Sequence, residues 1–233
     1  SEMCIRDRCE MVSKLLPKLE RFHCEPTHWT ADGLIQLLNY LHINKSIVDF
    51  DAFNLPADIL LNDSVVEAFK RLLKNNNSLE ALGLSVQEGD KLDISSFVDS
   101  LDGALEFKFN LQMLELSNFS VTAQSLTRFL ANGHAPRVLR VSKFVVSMAN
   151  EDSEDVRPTV TSNVENLVIS DCRLQARGSM CSSFLPFYNL SACVARMPRL
   201  KDLTLRSSHL DRIDITDALV QLISNDSLES IAI

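Results

Sequence analysis

The sequence predicts an α/β fold built from one strand-and-helix unit laid down about eight times, with parallel strands in one sheet and helices on its other side. Three observations carry that expectation. A hexamer of the form LxxLxL recurs, clearest in Leu111-Gln-Met-Leu114-Glu-Leu116, with versions starting at residues 19, 47, 79, 111, 136, 164, 200 and 228. The spacing averages about 30 residues, the length of one supersecondary unit. Asn44-Lys-Ser46, Asn76-Asn-Ser78 and Asn225-Asp-Ser227 stand directly before three of the copies. Between copies, apolar residues fall at helical spacing.

Within a hexamer the last two apolar residues are two apart, so both leave one face of a short strand and the residue between them faces solvent. Another apolar residue recurs five positions later, at Trp29, Ala57, Val121, Val146, Leu174 and Leu210. Gly89 breaks this series, and Leu92 is expected to take the role after a longer turn. Helices are expected around Leu34, Ile35, Leu38 and Leu41; Val65, Val66, Phe69, Leu72 and Leu73; Phe97, Val98, Leu101 and Leu105; Leu126, Phe129 and Leu130; and Leu219, Leu222 and Ile223. Thr30, Thr122 and Thr216 suit N-caps, and Ser64-Val-Val-Glu67 fits a capping box. Asn75 to Asn77, Asn132-Gly133 and Asn225 are stops. Met11 to Lys18 has the spacing of an earlier helix's tail. Ser147 to Asn163 lacks a helical pattern and reads as a loop, and Gly178 to Pro198 reads as a turn followed by a helix over Leu190, Val194 and Met197.

One strand and one helix cannot bury their apolar faces alone; stacked neighbours can. The hexamers and their period resemble the leucine-rich repeat family, specifically its ribonuclease-inhibitor-like branch, over roughly Leu19 to Ile233. That resemblance implies a right-handed horseshoe solenoid with a parallel sheet on the concave side and helices on the convex side. The family usually places Asn or Cys three residues after the last apolar strand position. Here the residues are Thr27, Leu55, Gln87, Phe119, Phe144, Cys172 and Ser208, so only Cys172 conforms and an irregular ladder is expected.

Residues 2–8, EMCIRDR, resemble the translated end of a transposon adapter used in preparing sequencing libraries, so 1–8 are expected to be non-native. The repeat domain then occupies 9–233. Polar caps are expected at the ends of a solenoid. Neither end has one, and the domain reads as an internal piece of a longer solenoid.

Apolar residues make up 45% of the 233 positions, enough for a buried core. The net charge of −8 argues against nucleic acid or an acidic membrane as partner. No run of 18 apolar residues exists, so no membrane-spanning helix is expected. Cys24 and Cys172 fall on core positions of the repeat, which points to a reducing, cytoplasmic setting. His23, Cys24 and His28 are close in sequence, but their spacing fits no zinc pattern and the repeat frame sends His23 outward and Cys24 inward. The acidic stretch Glu151 to Asp155 lacks the glycine of a calcium loop. No phosphate loop, dinucleotide fingerprint or nucleophile elbow is present. No enzyme, cofactor or metal is therefore expected. His42, His134 and His209 read as loop or turn residues. Of six Asn-x-Ser/Thr sequons, at Asn44, Asn62, Asn76, Asn118, Asn189 and Asn225, three belong to the repeated turn.

What remains is the concave face. Its central row is His23, Asp51, Gly83, Glu115, Arg140, Val168, Thr204 and Ala232. Asp51, Glu115, Arg137, Arg140, Lys201, Thr204 and Arg206 are the candidate partner-binding residues, the arginines foremost because interface hot spots favour them. The expected function is a non-catalytic scaffold that binds a protein. A GTPase-activating regulator of the same repeat branch, or the recognition part of a larger receptor or ubiquitin-ligase adaptor, are the alternatives.

Overall fold

A computed structural model of the chain describes residues 19–25, 28–106, 108, 110–147, 160–175, 192–206, 220 and 222–232. The fold is mixed α/β. Eight strands form one parallel sheet in the order β1 (Arg21–Cys24), β2 (Asp49–Leu55), β3 (Ala81–Val86), β4 (Met113–Ser117), β6 (Val138–Ser142), β8 (Asn166–Ser170), β10 (Asp202–Arg206) and β11 (Ser230–Ala232). Three short strands, β5 (Ser120–Thr122), β7 (Val145–Ser147) and β9 (Arg173–Gln175), form a second parallel sheet.

The main sheet is in register with the sequence repeat. Phe22, Phe50, Leu82, Leu114, Leu139, Leu167, Leu203 and Ile231 lie opposite one another across the eight strands. These are the fourth residues of the eight hexamers, so every hexamer supplies one strand. A slip of one residue in any strand would turn its apolar pair to solvent, and burial forbids it. The arrangement is compatible with a repeat solenoid.

Five helices fill the crossovers of the first half: α1 (Ala31–Ile43), α2 (Ala57–Leu60), α3 (Asp63–Asn75), α4 (Ser95–Leu105) and α5 (Ala123–Ala131). The longer ones pack side by side, α1 on α3, α3 on α4 and α4 on α5. Their inward residues share one core with the inward strand residues. Thr30 and Thr122 cap α1 and α5, accepting from the amides of Gly33 at 3.1 Å and Ser125 at 3.2 Å. The box expected at Ser64 is not formed. Asn62 caps α3 instead, its Oδ1 accepting from the amides of Ser64 and Val65, because it reaches the free first-turn amides from two residues earlier. His42 sits in the last turn of α1 rather than in a loop. Ile94, fully buried, takes the apolar place expected of Leu92, which is 44% exposed. The Ile94 amide donates to the Ser120 carbonyl, and this bond fixes the longer turn.

The second sheet is absent from the sequence expectation. Its strands centre on Val121, Val146 and Leu174, the residues that recur five positions after a hexamer. Three residues are too few to show an alternation. What creates these strands is the end of the preceding main strand. Asn54, Asn118, Lys143 and Asp171, each two residues beyond the apolar pair, adopt left-handed backbone with φ between 54° and 62°. Asn and Asp tolerate that region best. The turn is followed directly by Leu55, Phe119, Phe144 and Cys172, the positions at which an irregular ladder is expected. Phe119 and Phe144 stack there, with centroids 5.3 Å apart and planes 8° from parallel. Phe97 and Phe69 extend the line through the helices at 6.3 and 5.4 Å. Buried aromatic stacking thus replaces a polar ladder over these repeats.

A polar ladder does exist, at the opposite corner, where helix gives way to strand. Asn76 Oδ1 accepts from the amides of Ser78 and Leu79 and from the Ser78 hydroxyl. Its Nδ2 donates to the carbonyls of Leu41 and Asn44 in the preceding repeat. Asn225 repeats the arrangement, donating to Val194 and Met197. Lys108 fills the equivalent place in another repeat and donates from Nζ to the Asn76 carbonyl; Asn163 donates from Nδ2 to the Gly133 carbonyl. At Asn132 the donation goes to the Asp102 carboxyl at 2.6 Å.

The readings for 1–18, Thr216, His209, Asn189 and the acidic stretch Glu151 to Asp155 lie outside the described residues. The loop expected at Ser147 to Asn163 is described only at Ser147 and at 160–164, where no helix occurs. Of the helix expected near Leu190, only the short turn at 192–194 is described, with Val194 and, just beyond it, Met197 buried.

Two outcomes are expected from denaturant titrations. Asn76→Ala leaves buried carbonyls and amides unpaired and is expected to cost on the order of 3 kcal/mol, whereas Asn75→Ala, on the exposed side of the same turn, changes little. Burial pushes the Lys108 ammonium down to about 8 from its ordinary 10.5, so the folded chain holds that proton less tightly than the unfolded chain. Stability is therefore expected to rise with pH between about 8 and 10.5. Lys108→Asn, which installs the residue used at the other corners, is expected to abolish that rise.

Candidate functional site: the outward face of the sheet

The alternation that sends Phe50 and Ala52 inward sends Asp49, Asp51 and Phe53 outward, and likewise in every main strand. The register places His23, Asp51, Gly83, Glu115, Arg140, Val168, Thr204 and Ala232 in one row across eight strands. Neighbouring members of that row stand about 4.8 Å apart, close enough for side chains to pair directly.

Asp51 is the most constrained of them. One oxygen meets His23 Nδ1 at 2.6 Å. The other lies across Gly83, so close that a Cβ there would stand 1.9 Å from it. Glycine at 83 therefore lets Asp51 keep this rotamer; a Cβ there would turn the carboxylate aside. Partial burial pushes the Asp51 carboxyl up from its ordinary value, and Asp49 and Glu115 push it the same way; His23 opposes them. Beside this pair, Arg21 approaches Asp49 at 3.8 Å and the His23 ring stacks on exposed Phe53 with centroids 6.5 Å apart.

Glu115 and Arg140 pair with each other across β4 and β6 at 3.5 Å. Thr204 sits half-buried between Val168 and Ala232. Arg206 lies two residues further along β10 on the same face. Arg137 and Lys201 fall elsewhere. They precede β6 and β10 and belong to a row at the strand entrances, with Glu165 between them. Arg137 grips Glu165 with two bonds, 3.0 and 2.9 Å long. That grip holds the Glu165 carboxyl below its ordinary range and the guanidinium above its own.

Two of the three arginines favoured from sequence are thus already engaged by carboxylates of this chain. Among the described residues, Lys201 and Arg206 have no carboxylate within ion-pair distance. The face is mixed in charge: Arg21, His23, Asp49, Asp51, Glu80 and Glu115 lie on β1 to β4 or at their entrances, and Arg137, Arg140, Glu165, Lys201, Asp202, Arg206 and Glu229 on β6 to β11 or at theirs. Sequence reasoning placed His23 in the central row without weighing it as Asp51's partner, and it passed over Asp49 and Phe53. Their positions two residues to either side of Asp51 on one strand were the available signal.

His23 points to solvent while Cys24 packs against the core, as the repeat frame requires. Among the described residues no group of three His, Cys, Asp or Glu side chains is placed to hold a metal ion, and no helix is long and apolar enough to cross a membrane.

The sequence matches no family model and no curated protein. Among solved structures, one described as leiomodin-1 actin-binding site 2 aligns with 94% of this chain and 88% of its own, at 10% identity and a TM-score of 0.39. Likeness at that level assigns neither a family nor a function.

Gly83→Ala is expected to cost under about 1 kcal/mol, because the Asp51 carboxylate can turn aside, and to loosen the His23–Asp51 contact. In an Asp51→Ala background the same change is expected to be close to neutral. A double-mutant cycle measured by denaturation reads the difference.

Proposed function

We propose that this chain is a leucine-rich repeat solenoid of the ribonuclease-inhibitor-like branch that works as a non-catalytic scaffold and binds a protein partner through the outward face of its main sheet. The observation that carries this reading is the uniform register. It presents eight parallel strands' worth of mostly polar and small side chains on a single surface, with the described helices filling the crossovers of its first half. Such a surface discriminates partners by its charge pattern more than by its area. Lys201 and Arg206, which have no carboxylate within ion-pair distance among the described residues, and the Asp49–Asp51 pair, whose two carboxylates meet Arg21 and His23, are the groups offered as setting that pattern.

A cytoplasmic setting belongs to the same proposal. Burial pushes the Cys172 thiol up to about 11 and the Cys193 thiol up to about 12, so both stay protonated and act as small apolar groups. Reduced, unreactive thiols are the form a reducing compartment maintains.

The test is quantitative affinity capture from cell extract on immobilised chain. A protein held by the wild type is expected to be lost at least tenfold by Asp49→Asn with Asp51→Asn, or by Lys201→Gln with Arg206→Gln. Glu67→Gln with Asp63→Asn, on the helix side, is expected to retain it. A partner kept by both face variants and lost by the helix-side variant would place the interface elsewhere.

A further inference from the structure

The corner triplets Asn76-Asn77-Ser78 and Asn225-Asp226-Ser227 are N-glycosylation sequons by sequence, and the fold uses the same atoms for another purpose. A primary amide has two N–H groups. At Asn76 both are donated, to Leu41 O at 2.7 Å and Asn44 O at 3.0 Å. At Asn225 both are donated, to Val194 O at 3.1 Å and Met197 O at 3.0 Å. Asn76 is 4% exposed and Asn225 is 8% exposed. Each serine hydroxyl has one proton, shared among acceptors at the corner: Asn44 O and Asn76 Oδ1 for Ser78, and Met197 O, Leu200 O and Asn225 Oδ1 for Ser227.

Glycosyl transfer forms a bond from the amide nitrogen to C1 of the sugar, displaces the lipid-linked pyrophosphate, and releases one amide proton. At either residue the product would lack one donor of a buried inter-repeat bond and would place a bulky hydrophilic group between two repeats. The transfer acts on unfolded nascent chain, where the triplets are ordinary extended sequons, so burial in the finished fold gives no protection.

We infer that these corner triplets are structural, that a glycan on Asn76 or Asn225 is incompatible with the fold, and that the chain therefore folds in a compartment without N-glycosylation. Asn62 is the internal contrast. It is exposed at the start of α3, only its Oδ1 is engaged as the cap, and a glycan on its nitrogen would project into solvent. Only the cytoplasmic setting is shared with the proposed function; partner binding plays no part in this inference, so the glycan assay and the capture assay fail independently.

The experiment routes the 233-residue chain into the secretory pathway of cultured eukaryotic cells behind a cleavable signal sequence. It is run with and without an inhibitor of lipid-linked oligosaccharide synthesis, and cytosolic chain serves as the folded reference. Site occupancy is read by mass spectrometry and folding by resistance to trypsin. Chain modified at Asn76 or Asn225 is expected to be trypsin-sensitive and retained. Chain modified at Asn62 is expected to be as resistant as the cytosolic reference. The inhibitor is expected to raise the resistant fraction several-fold. Trypsin-resistant secreted chain bearing a glycan on Asn76 or Asn225 would overturn the inference, and so would an inhibitor that leaves the resistant fraction unchanged.

Discussion

The structure depends on a bond that four of the described repeats make to the one before, at the carbonyl three residues ahead of a hexamer. The carbonyls of Asn44, Asn76, Gly133 and Met197 are each taken by a side chain from the following repeat, Asn76, Lys108, Asn163 and Asn225 in turn. The end of a helix leaves carbonyls without intrahelical partners. In an isolated unit water would satisfy them. In a stack the corner is closed off, and the next repeat must supply the donor. That requirement ties each of these four repeats to its neighbour at the corner.

Once the corners are fixed, the parallel register follows, because the hexamer begins three residues later in every copy. The register in turn settles which residues face out. Asp51 pairs with His23, leans over Gly83 and feels Glu115 two strands away, all because the row is straight. Charge on this face is therefore a property of the stack. The Arg137–Glu165 and Glu115–Arg140 pairs are exposed and contribute little stability. Their consequence is to leave Lys201 and Arg206 without a carboxylate of this chain within ion-pair distance among the described residues.

The strand register was legible because burial punishes any slip, and eight hexamers report the same constraint. Helix caps at Thr30 and Thr122 were legible for a similar reason, a hydroxyl placed before an apolar stripe. The start of α3 was not, since Asn62 and Ser64 are both good caps and only geometry chooses between them. The second sheet escaped because its strands are three residues long and are set by left-handed turns, one of them at Lys143, a residue type that does not advertise that conformation. The polar ladder was visible as the repeated Asn-x-Ser. Its inter-repeat bonds were not, because they join residues about 30 positions apart. On the outward face the row was legible residue by residue, but the pairing within it was not. Arg137 and Arg140 looked available from sequence, and carboxylates of neighbouring strands hold both.

The most direct test of an in-register stack is a pair of distances along the central row. Spin labels at residues 51 and 140 span three strand spacings, and labels at 51 and 204 span five. At about 4.8 Å per spacing the backbone separations should be about 14 and 24 Å, read by pulsed dipolar spectroscopy in a chain cleared of its native cysteines. A longer distance for 51–204 than for 51–140, by about 10 Å, agrees with strands laid down in sequence order. Equal distances, or a shorter 51–204 distance, would mean that the repeats do not stack in that order.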